Sequence, residues 1–154
     1  MRFTDMLDRK AEEIKAPPSL PAGMYLFQIK QHPDQDDLKG KDGTPYDRLT
    51  FMTQVVAAEE VDEDALADYG NVVGAPMRYT FLFNTLEEET AKREGSLNRL
   101  KIFLTNCGCF EDGMTLSDAL AASPGMQFRG EITHRLDPND SERVYSEIGR
   151  TYAI

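Results

Sequence analysis

No stretch of the 154 residues approaches eighteen consecutive apolar positions, which excludes a membrane-spanning helix. The first fifteen residues hold four acidic groups and no apolar h-region, so they do not read as a secretory signal. Cysteine is nearly absent. Cys107 and Cys109, one residue apart, cannot staple a fold, and without a signal peptide they point to a reducing, cytoplasmic setting. Histidine is equally scarce: His32 and His134 stand in no HExxH-type motif, and no GxSxG elbow, Walker A loop or GxGxxG fingerprint occurs. The chain reads as no enzyme and implies no cofactor.

Metal chemistry is poorly served as well. Cys107-x-Cys109 lacks the CxxC spacing of structural zinc pairs and reads as small buried hydrophobes at a helix end. DPNDSE (137–142) starts like a calcium loop, but Glu142 stands where that loop needs glycine and Ile148 where it needs glutamate. KGKDG (39–43) joins two strands without the following helix of a phosphate loop, so it reads as a hairpin turn.

Positive charge is the last deficit. Lys and Arg number 17 against 27 Asp and Glu, a net charge of −10. The excess is local: six carboxylates lie in 57–70 and three more at Glu87, Glu88 and Glu89. Without those nine the remainder holds 18 acidic and 17 basic groups, so the body is nearly neutral. The composition fits one globular domain, and its acidity counts against DNA binding unless a basic face exists.

What is present is an ordered change of hydrophobic period. Phe3, Met6, Leu7, Ala11 and Ile14 form one helical stripe over residues 1–16, with Thr4 as N-cap, expected to dock on the domain. The prolines of APPSLPAG end it. From Met24 the period becomes two: Tyr25, Phe27 and Ile29 share one face, Leu26, Gln28 and Lys30 the other. HPDQDDLKGKDGTPY reads as a polar turn. DRLTFMTQVV is a second strand with Leu49, Phe51 and Val55 inward; 57–70 is a long connection with helical character at 62–68. APMRYTFLFN is a third strand with Met77, Tyr79, Phe81 and Phe83 inward, and the reverse register stays open; it would make Tyr79 and Phe81 a stacking platform.

A helical region follows, with Thr85 and Glu88 at capping-box spacing, Glu87–Glu89 in the first turn and Gly95 as an interruption. SLNRLKIFLTNCG restarts it to Gly108, and a short helix at 115–122 is capped by Thr115 and Asp118. Two last strands, MQFRGEITH and ERVYSEIGRTYAI, complete the chain. The expectation is a mainly β (α+β) protein: a five-stranded OB-fold barrel over 20–154, with a helical insertion between strands three and four and an N-terminal helix. Other closures of a short β domain stay open.

On that scaffold scattered cations become one groove. Lys39, Lys41 and Tyr46 flank the first turn, Arg48 and Arg78 face outward from strands two and three, and Arg129, Arg135 and Tyr145 belong to the last two strands. An OB-fold binds oligonucleotides on these elements, with cations for phosphates and aromatic faces for bases. Ordinary solvated sheet surface is the alternative.

The series LPAGMYLFQI, DGTPYDRLTFMTQVV, SLNRLKIFLTNCG, GMQFRGEITHRLD and VYSEIGRTY resembles phage-encoded single-stranded DNA-binding proteins of OB-fold type, over roughly 20–152. The resemblance implies non-enzymatic, largely sequence-independent coating of single-stranded DNA in phage replication, recombination or repair, in the host cytoplasm. The family's acidic C-terminal tail is replaced here by a terminal strand, and the acidic run lies internally at 59–68, where it would meet replication or recombination proteins. The rival expectation is a phage accessory interaction module or an acidic DNA mimic. Self-association is left open.

Overall fold

The computed structural model describes residues 2–13 and 19–154, with the backbone alone at Glu13 and at 140–143. Helix α1 spans Phe3–Leu7 and a 3-10 turn spans Ala11–Glu13. Its N-cap is Arg2 rather than Thr4, and the Asp5 carboxylate accepts from the Arg2 amide at 3.3 Å. The stripe does not dock: Phe3, Met6 and Leu7 are 70, 46 and 65% exposed. Ile14, the end of the expected helix and the first prolines lie outside the described residues.

The strands are β1 (Gly23–Ile29), β2 (Asp34–Lys39), β3 (Pro45–Val61), β4 (Pro76–Asn84), β5 (Gln127–Asp137) and β6 (Asp140–Tyr152). They form one antiparallel sheet in the order β2-β3-β1-β5-β6, with β4 paired to the other edge of β3. Among the described residues six strands stand where five were expected, because the polar segment 34–39 is extended and pairs with 45–50. Its exposed residues left no apolar alternation to detect. The sheet is not closed. β4 and β6 approach each other, but among the described residues no ladder joins them.

The segment 57–70 also differs from a loose connection. β3 runs on to Val61, and α2 (Glu63–Tyr69) begins at Asp62, whose side chain accepts from the Ala65 amide at 3.0 Å. Glu63 and Asp64 then sit in the first turn, where the helix dipole favours them.

Between β4 and β5 lie α3 (Thr90–Asn106) and α4 (Leu116–Ala122). α3 passes through Gly95 without interruption, since the glycine is exposed and the buried Leu100, Phe103 and Leu104 hold the helix onto the sheet. Glu87 and Glu88 precede the helix instead of entering its first turn. There the Asn84 side chain accepts from the Leu86 amide, and Glu89 becomes the N-cap. α4 has the expected capping box, with Asp118 N to Thr115 Oγ1 at 3.1 Å and Thr115 N to Asp118 Oδ2 at 3.0 Å.

The inner face of the sheet and α3 share one aromatic core. The Phe103 ring lies 4.9 Å from Phe51, 4.9 Å from Tyr79 and 5.0 Å from Phe128, centroid to centroid, so one helical residue ties β3, β4 and β5 together. Phe27 stacks on Phe128 at 5.4 Å. That stacking requires Gly130: a Cβ there would stand 2.8 Å from the Phe27 ring. Gly23 is required for another reason, since it has φ 143° and a Cβ would meet the Glu60 carbonyl oxygen at 2.4 Å. Among the described residues no helix is long and apolar enough to cross a membrane.

Candidate nucleic-acid interface

A strand with one buried face presents alternate residues outward, and the cross-strand registers fix which outward residues are neighbours. Leu49, Phe51, Thr53 and Val55 are buried on β3, so Tyr46, Arg48, Thr50, Met52 and Gln54 face out. On β4, Phe81 is buried and Arg78, Thr80 and Leu82 are exposed, which excludes the reverse register and its Tyr79–Phe81 platform.

Three cross-strand rows define the outer face. In the first, Arg78 on β4 lies opposite Met52, and Met52 accepts through its carbonyl from the amide of Lys30, the residue after β1. The second row is Pro76, Gln54, Gln28 and Gln127, three planar amides side by side on three strands. The third holds Leu26, Arg129 and Tyr152 on β1, β5 and β6. Lys30 and Tyr152, the latter 39% exposed, were not among the sequence candidates, yet the registers bring both onto this face. Tyr152, Arg129, Met24, Glu59 and Glu60 line a shallow cleft of about 470 Å³ at its edge.

The other candidates divide. Arg48 pairs with Leu82, four residues from the Arg78 row, or roughly 13 Å along the strand. Tyr46 lies at the same end, half-buried above the turn that carries Lys39 and Lys41, and its ring would lie 3.3 Å from a Cβ on Gly40. Arg135 and Tyr145 oppose each other on the β5–β6 hairpin, six residues beyond Arg129, about 20 Å away along β5. The Tyr145 hydroxyl donates to Asp137 at 3.1 Å. The eight residues therefore form an outer-face group, a turn group and a separate hairpin pair.

Several cations are already engaged. Arg48 makes a two-bond ion pair with Asp36 on β2, and this guanidinium holds the Asp36 carboxyl below the usual carboxylate range. Arg129 reaches over β1 to Glu59, Nε to Oε2 at 2.9 Å. Arg135 stands 3.9 Å from Glu147. Among the described residues, Arg78 and Lys30 have no acidic side chain within 4.0 Å. Exposed pairs of this kind are screened by water and add little to stability, so a phosphate can displace them at small cost.

The histidines and cysteines are occupied elsewhere. His134 Nε2 lies 2.8 Å from the Leu20 carbonyl oxygen, and His32 Nδ1 lies 3.0 Å from that of Pro33. Cys107 and Cys109 are buried free thiols, and the contact with Cys109, together with burial, holds the Cys107 thiol protonated. Among the described residues no three metal-ligating side chains converge.

A second cleft, of about 630 Å³, opens on the inner side of the β2–β3 hairpin where α3 and α4 pass. Leucines and Phe83 line it together with Asp36, Asp37, Asp47 and Arg48. No protein-family model matches the chain, and no curated protein sequence matches it significantly.

Proposed function

We propose that this chain is a non-enzymatic single-stranded DNA-binding protein with an OB-type arrangement of strands. β1 and β2 share one edge of β3 and together act as a single interrupted first strand; β3 and β4 then correspond to the second and third, and β5 and β6 to the fourth and fifth. The long helix falls between the third and fourth, as in that fold. In place of a closing ladder between β4 and β6, α3 packs on both. The resemblance to phage single-stranded DNA-binding proteins points the same way.

The observation that carries the reading is the outer face itself. Arg78, Lys30 and Arg129 flank a row of planar glutamine amides and an exposed tyrosine, on the face opposite the core. Unspecific single-strand binding needs cations along a backbone track and flat groups for bases to stack on. Arg48, Tyr46, Lys39 and Lys41 extend the track toward the β2–β3 turn. The Arg135–Tyr145 pair lies beyond it, at the hairpin.

Titration of fluorescent oligo-dT at low salt tests the assignment. Binding should weaken steeply with salt, each phosphate contact contributing about −0.7 to the slope of log affinity against log salt. No binding at tens of micromolar protein would overturn it. That result would favour the interaction module, for which the paired state of Arg48 and Arg129 and the −10 charge already speak.

A further inference from the structure

Carboxylates stand at one end of the candidate track, where they would repel a phosphate backbone. The cleft of about 470 Å³ is lined there by Met24, Glu59, Glu60, Arg129 and Tyr152, so two acids lie beside one cation and one exposed ring. Glu131, opposite Met24 on β5, and Arg150, in the irregular stretch of β6 beside it, are close by without lining the cleft. With these two included, three acids meet two arginines, and net charge gives the cleft no attraction for an anion.

The ion pair divides the roles. Glu59 accepts from Arg129 Nε, at 3.1 Å through Oε1 and 2.9 Å through Oε2. It thereby fixes the guanidinium plane while both Nη groups keep their donors. Among the described residues Glu60 has no cation within 4.0 Å, so both of its carboxylate oxygens are open to a donor. The registers set these groups on adjacent rows. Met24 lies opposite Glu60, and two residues along β1 Leu26 lies opposite Arg129, itself opposite Tyr152. Rows two residues apart are about 7 Å apart.

Guanine is the base whose edges match both groups. Its Watson–Crick edge carries two adjacent donors, N1–H and the N2 amino group, which fit the two oxygens of one carboxylate. Its other edge carries O6 and N7, which accept from an arginine fork. Adenine and cytosine each set one amino donor beside a ring-nitrogen acceptor that a carboxylate repels, and thymine sets its N3–H between two carbonyls. Bases of a single strand are free to splay out, stack on an aromatic ring and be read on these edges. We infer that the cleft takes one guanine of the bound strand, stacked on Tyr152, with Glu60 accepting from N1–H and N2–H and the Arg129 Nη groups donating to O6 and N7. Glu59 is the positioning residue for that arginine. The inference rests on the single-strand reading and deepens it: phosphates follow Lys30 and Arg78, about 13 Å away along β1, while this one position reads a base.

The test titrates the full chain at low salt with fluorescent oligo-dT and with the same oligomer carrying one central dG. The dG should tighten binding about tenfold, as one good bidentate contact does, and one dA or dC in its place should give much less. Inosine, which lacks the N2 amino group, and 7-deazaguanine, which lacks N7, should each lose most of the gain. Glu60→Gln, at an exposed position, should erase it, so that the dG and dT oligomers bind alike. Equal binding of the two oligomers by the unaltered protein overturns the inference and leaves the single-strand reading standing. A dG gain that survives Glu60→Gln also overturns it. No binding of either oligomer overturns both. Binding of the dG oligomer alone supports the guanine site and overturns the sequence-independent coating of single strands.

Discussion

Glu59 and Arg129 lie on different strands, yet their side chains meet at 2.9 Å by reaching over β1. The ion pair puts a carboxylate where the proposed DNA track would need its guanidinium free. Of the acidic residues in 59–68, Glu59 and Glu60 border the candidate face, and Glu59 is the one ion-paired with its Arg129. Neutralising it with Glu59→Gln should tighten oligo-dT binding severalfold at low salt, and the gain should shrink as salt rises. Changing Glu63 and Asp64, which serve the first turn of α2, should leave the affinity nearly unchanged. Equal effects at all three positions would point to net charge alone.

Arg78 and Lys30 are flanked by Met52 and carry no ion pair among the described residues. Replacing both by alanine should lower oligo-dT affinity and reduce the salt slope by about 1.4, two contacts at roughly 0.7 each. Tyr152→Ala should cost about 1–3 kcal/mol of binding if a base stacks there. Arg135→Ala, on the distant hairpin, should do much less. A larger loss at Arg135 would move the track onto the β5–β6 hairpin.

Gly95 sits in the exposed first half of α3, and a Cβ there would meet nothing within 4 Å. Gly95→Ala should therefore stabilise the protein by about 0.5–1 kcal/mol, by improving helix propensity and restricting the unfolded chain. Chemical denaturation with an unchanged slope checks this. A loss of stability would mean that α3 needs the glycine for a bend.

Tyr25 donates its hydroxyl to the Pro21 carbonyl at 2.6 Å in the core, and burial, with Tyr69 nearby, pushes its pKa up to about 12. The phenol of the unfolded chain ionises near 10, so between pH 10 and 12 the folded state holds a proton that the unfolded state has lost. Stability is complete below pH 10 and falls through that window as pH rises. Ultraviolet titration should show one phenol ionising last, and Tyr25→Phe should remove that step while flattening the alkaline loss. A titration in which every tyrosine ionises near pH 10 would contradict the burial argument.

The sequence revealed those parts of the fold where the pattern is apolar and regular. Tyr25–Ile29, Leu49–Val55 and the inward side of β4 follow from period two, and α4 from its Thr115–Asp118 box. β2 was illegible because DQDDLK has no buried face; only its ladder to β3 makes it a strand. α1 was misjudged because an amphipathic stripe records the wish for a partner, not its location. At the candidate site, Tyr152 was missed for a geometric reason. Tyr145 and Tyr152 are seven residues apart, which strict alternation assigns to opposite faces. The register shift opposite Gly130 and Ile132 adds a residue to β6, and Tyr152 then pairs with Arg129 as Tyr145 pairs with Arg135. Lys30 lies one residue past β1, where only its hydrogen bond to Met52 fixes its neighbours.

The gap between β4 and β6, bridged by α3 through Phe103 and the Asn106 amide's bond to the Thr151 carbonyl at 3.1 Å, has a kinetic consequence. Widening that seam breaks side-chain contacts but no backbone ladder, whereas parting β1 from β3 or β5 breaks a full set of paired amides. Solvent should therefore enter from one side. Deuterium should label the outer amides of β4 and β6 well before those of β1, with the protein still folded and α3 setting the rate.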